Sequence, residues 1–301
     1  MFTTKRISVA LSVAVLTGLS LVGCSGTESA SSAVPSQTQA TILEVMNIPP
    51  EIQAAVDTVS RACIAKHGFV IPGTVSLTPS GYSSPTGITG LFPSVAFARS
   101  QGYMQTVRSV VDPIDAFAKT LTDTQQTAFY DAYAPTTGPQ VTVTADDGNQ
   151  MSRAGTGCYA EGEIAVYGSV KASLQVDLFA SQILGSGNTS AVQSAMSGKL
   201  DGYTACMKND NIVVTGLNAG KVAQNRFGAY RQPGQSPSPA EANMAGADAQ
   251  CQKTSGLLTV ANDTYFSSAA TWIKNHQNLI TTLQEILTQA QAHAKTILEN
   301  G

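Results

Sequence analysis

ATWIKNHQNLITTLQEILTQAQAHAKTIL, residues 270–298, is the stretch that decides the fold. Ile273, Ile280, Leu287 and Ala294 repeat every seven residues, and His276, Leu283, Ala290 and Ile297 form a second series three residues on. Side chains three and four apart share a helix face, so the two series make one apolar seam. No Gly or Pro interrupts it, and the spacing predicts a single helix from about Ala270 to Leu298. Alanines at 290 and 294 leave room for a neighbouring helix. The expected neighbour is the rest of the same chain rather than a second copy, with His276 as a partnered interior or edge histidine.

Helical periodicity recurs upstream. Val170–Ile183 and Val192–Met207 read as amphipathic helices separated by Gly185-Ser-Gly-Asn188. Pro49-Pro50 suits a helix start, where a missing N–H costs nothing. Ile52, Ala55, Val56, Val59, Ala62 and Cys63 then recur at helical spacing, with Gly68 placed for a left-handed cap. Thr122 with Gln125 fits a capping box opening a helix through Phe129, Tyr130 and Tyr133. Val141–Thr144 alternates like a strand with Asp147-Gly148 as its turn, and a further helix carries Cys158. Residues 71–103 and 215–240 are punctuated by Gly and Pro and read as irregular. Their aromatics (Tyr82, Phe92, Phe97, Tyr103, Phe227 and Tyr230) are read as plugs over the core in preference to a binding surface for glycans or peptides. The expected fold is mainly α: a disulfide-stapled helical domain with two halves as candidate repeats and a long C-terminal helix.

The N-terminus carries an address. Lys5 and Arg6 precede an apolar run from Ile7 to Leu21, interrupted by Thr17, Gly18 and Ser20 and too short for a comfortable transmembrane helix. Leu21-Val22-Gly23-Cys24 then looks like a bacterial lipobox. It predicts a signal peptide over residues 1–23, cleavage before Cys24, and a thioether-linked lipid that anchors the chain to the outer face of the cell membrane. Stable anchoring takes more than one acyl chain. Residues 24–44, rich in Ser, Thr, Ala and Gln, are expected to be a flexible tether. Residues 45–301 form the helical ectodomain, with candidate halves 45–188 and 189–301.

Composition narrows the partners. Removing residues 1–23 takes away Lys5 and Arg6 and no acid, which leaves 15 basic against 20 acidic side chains. That balance argues against nucleic acid, which calls for Lys/Arg clusters. Besides Cys24 there are four cysteines, Cys63, Cys158, Cys206 and Cys251. An even number in an exported chain reads as two disulfides. Zinc is the rival, but no CxxC or HxxxH spacing is present and His67, His276 and His293 are scattered. No metal and no cofactor is expected.

A repeat bears on the pairing. Ala62-Cys-Ile-Ala-Lys-His-Gly-Phe-Val-Ile71 lines up with Ala205-Cys-Met-Lys-Asn-Asp-Asn-Ile-Val-Val214. In each, a cysteine in the last helical turn is followed five residues later by Gly68 or Asn211, the types that best tolerate a left-handed cap. A weaker echo sets Met151 seven residues before Cys158 and Met244 seven before Cys251. Two related halves favour Cys63–Cys158 and Cys206–Cys251 among the three connectivities.

The lipobox, the two Cys-Ile/Met helix ends, Gly157-Cys158 and Ala247-Asp248-Ala-Gln-Cys251 together resemble the uncharacterised secreted lipoproteins of high-GC Gram-positive bacteria. Leu121-Thr-Asp-Thr-Gln-Gln126 with Tyr130 adds to the likeness, which spans about residues 55–260. Asn211, where Gly is usual, and the long C-terminal helix depart from the pattern. The resemblance implies location and disulfides and carries over no catalytic residue.

Motifs for chemistry are weak. Gly216-Leu-Asn-Ala-Gly-Lys221-Val222 is one residue short of a phosphate loop and has Val at the metal-binding position, so it reads as a loop. Asp146-Asp147-Gly148-Asn149 lacks the distal glutamate of a calcium loop and reads as a turn. Glu161 and Glu163 with Asp146 and Asp147 are the acids from which a glycoside-cleaving pair would have to come. No GxSxG, SxxK or HExxH occurs. The expected role is non-catalytic: an envelope lipoprotein that binds a partner protein, wall polymer or small ligand. The alternative is a cell-wall-modifying hydrolase using acidic residues. A two-lobed transport receptor is disfavoured for want of alternating strands and helices.

Overall fold

Helix ends with a shared capping chemistry organise the chain. The protein is described by a computed structural model over residues 34–72, 84–86, 88–103, 105–106, 113–228, 230–231 and 236–300. Its elements in order are α1 (Ser36–Met46), α2 (Pro50–Lys66), α3 (Val95–Gln101), β1 (Gln105–Thr106), α4 (Pro113–Ala118), α5 (Asp123–Tyr133), β2 (Gln140–Thr144), β3 (Gln150–Ala154), α6 (Cys158–Tyr167), α7 (Val170–Ser186), α8 (Thr189–Ser197), α9 (Leu200–Asn209), α10 (Ala219–Phe227), β4 (Tyr230–Arg231), α11 (Pro239–Thr254), α12 (Leu257–Asn275) and α13 (Gln277–Asn300). The fold is mainly α. β2 and β3 form an antiparallel hairpin turned at Asp147-Gly148, and β1 pairs parallel with β4.

The two related helix ends are alike in detail. α2 closes with Phe69 N–H donating to Ile64 O at 3.3 Å and Gly68 N–H donating to Ala65 O at 3.0 Å. α9 closes with Ile212 N–H donating to Met207 O at 2.9 Å and Asn211 N–H donating to Lys208 O at 3.0 Å. This is a left-handed C-cap in both places, with φ of +86° at Gly68 and +59° at Asn211. The residue one past each cap faces inward in the second motif and partly so in the first, and the next, Val70 or Val213, is exposed. The repeat stops there. Met151 lies on strand β3 and Met244 on helix α11, so the weaker echo joins unlike elements. Nor do residues 45–188 and 189–301 fold separately, because one apolar core runs from Val34 to Ala294 through both.

The seam of α13 lies at the centre of that core. Ile280, Leu283, Leu287, Ala290 and Ala294 are buried, and the helix packs on α1, α2, α6 and α7 of the same chain. The expected single helix is corrected to two. His276 breaks it, with φ −108° and ψ 19°, although the apolar register continues from Ile273 to Ile280. At the break the His276 N–H reaches both Trp272 O at 3.1 Å and Ile273 O at 3.2 Å, and His276 Nδ1 lies 2.7 Å from Trp272 O. The imidazole stacks on Trp272 with ring centroids 4.0 Å apart, and its Nε2 lies 3.5 Å from Asp146 Oδ2.

Three further expectations change. The tether of residues 24–44 overlaps α1 from Ser36, because Thr38, Thr41, Ile42, Val45 and Met46 make an apolar face that docks on α13 and α7. The helix read over Val192–Met207 is two, α8 and α9, parted at Gly198-Lys199. Irregular residues 215–240 contain α10, and residues 71–103 contain α3. Of the aromatics in those segments, Phe92 is buried and meets Tyr103 edge to face at 5.5 Å, as plugs would; Tyr82 falls outside the described residues. Cys24 and the signal segment also fall outside them.

Candidate functional site

The structure brings Cys63 to Cys158 and Cys206 to Cys251, each pair at disulfide distance, with Cα atoms 5.3 and 5.6 Å apart. The first pair ties the end of α2 to the start of α6 beside an aromatic cluster centred on Phe129. Gly157 makes that join feasible. Its φ is +95°, and a Cβ there would sit 2.6 Å from Pro135 Cδ and 2.8 Å from Tyr133 O. The second pair ties the end of α9 to the last turn of α11.

One turn beyond each helix-end cysteine stands a polar side chain: His67 after Cys63, Asp210 after Cys206. The ligand-capable atoms of Cys63, His67 and Cys158 lie within 4.8 Å of one another, and so do those of Cys206, Asp210 and Cys251. The sequence signal for the first group is its Cys63-x-x-x-His67 spacing, which is neither CxxC nor HxxxH.

Buried carboxylates form the two remaining polar centres. Asp248 on α11 accepts from Tyr103 Oη at 2.6 Å, Tyr203 Oη at 2.8 Å and Gln252 Nε2 at 2.9 Å. Gln252 extends the network to the 90–92 loop, donating to Gly90 O at 2.7 Å and accepting from Phe92 N–H at 3.0 Å. Glu241, a further buried acid on α11, accepts from Tyr103 N–H at 2.7 Å. Burial pushes the Asp248 carboxyl up from its ordinary value, and the hydrogen bonds from Tyr103, Tyr203 and Gln252 oppose that rise. The Tyr103 and Tyr203 hydroxyls are pushed up by burial and then by the Asp248 charge, so they stay protonated donors. The sequence signal for this centre is a charge on an apolar helix face, since Met244, Ala245, Asp248, Ala249, Cys251 and Gln252 are all buried.

Glu163 on α6 is the second centre. Arg153 from β3 pairs with it and with Asp177 on α7 at 2.9 Å, while Ser173 Oγ donates to Glu163 Oε1 at 2.7 Å. The guanidinium also lies over the Tyr159 ring, 5.3 Å from its centroid. Burial raises the Glu163 carboxyl, and Arg153 and Ser173 pull it back. Burial likewise lifts Tyr159, to about 12. The other acids singled out in sequence do not join it: Glu161, Asp146 and Asp147 are exposed. Asp147 accepts from Asn149 N–H at 3.0 Å, closing the hairpin turn. Lys221 of the short phosphate-loop look-alike is exposed on α10 rather than in a loop.

The surface offers open grooves. One runs along the start of α3 and is lined by Pro93, Val95, Ala96, Lys253, Leu258, Thr259 and Asn262. Another lies between α2 and the end of α13, lined by Glu51, Gln291, Lys295, Leu298 and Glu299. Among the described residues no helix is long and apolar enough to cross a membrane.

No family model, curated protein or solved structure matches this chain.

Proposed function

We propose that this chain is an envelope lipoprotein, held at the outer face of the cell membrane by lipid on Cys24, with a non-catalytic binding role. The observation that carries the reading is Leu21-Val22-Gly23-Cys24 after a charged start and a short apolar run. Four further cysteines in two pairs at disulfide distance suit an oxidising compartment. Support for binding rather than catalysis comes from the buried carboxylates Asp248 and Glu163. Asp248 is engaged by two tyrosines and a glutamine, and Glu163 by an arginine and a serine, so each acid holds elements together. The resemblance to secreted lipoproteins of high-GC Gram-positive bacteria agrees with the location. The groove beside α3, with apolar Val95 and Leu258 flanked by polar Lys253 and Asn262, is the surface proposed for a wall polymer, small ligand or envelope protein.

The test extracts the chain from envelope membranes in mild detergent without reductant and examines it by native mass spectrometry. A lipidated chain retaining a molecule that Leu258→Arg releases is the expected result. A chain that leaves the membranes in a salt wash with Cys24 unmodified overturns the anchor. Wall hydrolysis abolished by Glu163→Gln or Asp248→Asn, in variants that stay folded, overturns the binding role.

A further inference from the structure

We propose that Cys63, Cys158 and His67, brought together where the end of α2 meets the start of α6, form a zinc site when the cysteine pair is reduced. The ligand set fits the metal. Two thiolates and one imidazole are the soft and intermediate donors that zinc takes, at about 2.3 Å for sulfur and 2.0–2.1 Å for nitrogen. Ligands at those radii lie about 3.5–3.8 Å apart around a tetrahedral ion. The three donor atoms lie within 4.8 Å of one another, so once the disulfide opens the two sulfurs move apart to about 3.8 Å and the imidazole closes by at most about 1 Å. His67 is exposed, and among the described residues its imidazole has no hydrogen-bond partner. Cys63 and His67 are four apart at a helix end, one above the other, and Cys158 comes from a second, tightly packed helix. Three protein ligands leave a fourth position for water or a bound molecule.

The equivalent position of the related motif sharpens the assignment. There Asp210 replaces the imidazole, with its Oδ2 3.9 Å from Cys251 Sγ. A carboxylate is a harder donor, and its charge opposes two thiolates beside it. One scaffold thus carries two chemically unlike cysteine pairs, and the His67 pair is the one suited to zinc. The inference rests on the fold and is independent of the anchor.

The chemistry balances with a dithiol as reductant. The dithiol gives two electrons and two protons, the Cys63–Cys158 bond breaks to two thiols, and the dithiol leaves as its cyclic disulfide. Zinc(II) then displaces both thiol protons to solvent and binds two thiolate sulfurs and one imidazole nitrogen.

Cobalt(II) tests the site in the full chain. The chain is reduced anaerobically with a phosphine, which becomes its oxide with oxygen from water, and the excess is removed. The expected result is a thiolate-to-cobalt charge-transfer band with tetrahedral d–d absorption, bleached by added zinc(II). His67→Ala is expected to weaken cobalt binding at least about tenfold, since losing even a ligand's outer hydrogen-bond partner costs that much. His67→Cys is expected to retain it, and Asp210→Ala to leave it unchanged. Absence of the band, or a band unmoved by His67→Ala, overturns the proposal. So does loss of helical circular dichroism on reduction, because the donors would then no longer be held together.

Discussion

Tyr203→Phe deletes one oxygen from the centre of the fold and tests the Asp248 network quantitatively. Tyr203 is fully buried and its hydroxyl donates to Asp248 Oδ1 at 2.8 Å. A hydrogen bond to a charged group contributes about 1.5–3 kcal/mol net. Asp248 Oδ1 keeps Gln252, and Oδ2 keeps Tyr103, so the carboxylate is weakened rather than orphaned. The expected loss near neutral pH is about 2 kcal/mol. For a chain of this size that lowers the melting temperature by about 4–8 °C. The loss has a pH signature. The Tyr203 bond lowers the folded-state pKa of Asp248 against the larger effect of burial, so removing it raises that pKa further. The bond therefore stabilises only the ionised carboxylate. Its contribution is present above the folded pKa and disappears as pH falls through that value toward the ordinary carboxyl range. Urea unfolding followed by far-ultraviolet circular dichroism, at neutral pH and near pH 4, measures both. A destabilisation below about 0.5 kcal/mol at neutral pH refutes the reasoning, as does one that grows in acid.

Other perturbations follow from the same contacts. Replacing Cys63 and Cys158 by Ala frees a loop of 95 residues, and replacing Cys206 and Cys251 frees one of 45. Loop entropy gives about 4.7 and 4 kcal/mol, so the first double variant is expected to show the lower denaturation midpoint in urea. Gly157→Ala combines a φ of +95° with a contact on Pro135, and calorimetry should find it less stable by about 1–3 kcal/mol. Arg153→Met leaves Glu163 buried without its cation, at about 3 kcal/mol. That cost grows as pH rises through the raised Glu163 pKa and fades in acid, and a pH series of melting temperatures checks the sign.

What the sequence revealed follows from which interactions are local. The α13 seam, the Thr122 capping box and the caps at Gly68 and Asn211 depend on residues within one or two turns, so periodicity and turn chemistry exposed them. α1 stayed hidden because Ser, Thr, Ala and Gln dominate it, while its few apolar residues matter only once α13 is there to cover them. The break at His276 involves neither Gly nor Pro, so none of the usual sequence punctuation marks it. The Asp248 centre joins residues 103, 203, 248 and 252, and no local pattern assembles tyrosines from two distant segments on one carboxylate. Glu161 and Glu163 stand out together in the sequence, yet helix geometry turns the two to different environments, one exposed and one buried.

The central claim is an exported chain anchored through Cys24 whose four other cysteines are paired. Intact-mass spectrometry of the chain from its own membranes, alkylated without reductant, tests it most directly. The account predicts a chain beginning at Cys24, heavier by its lipid, with no alkyl group on Cys63, Cys158, Cys206 or Cys251. A chain that retains residues 1–23 with Cys24 unmodified, or one alkylated at those four cysteines, contradicts it.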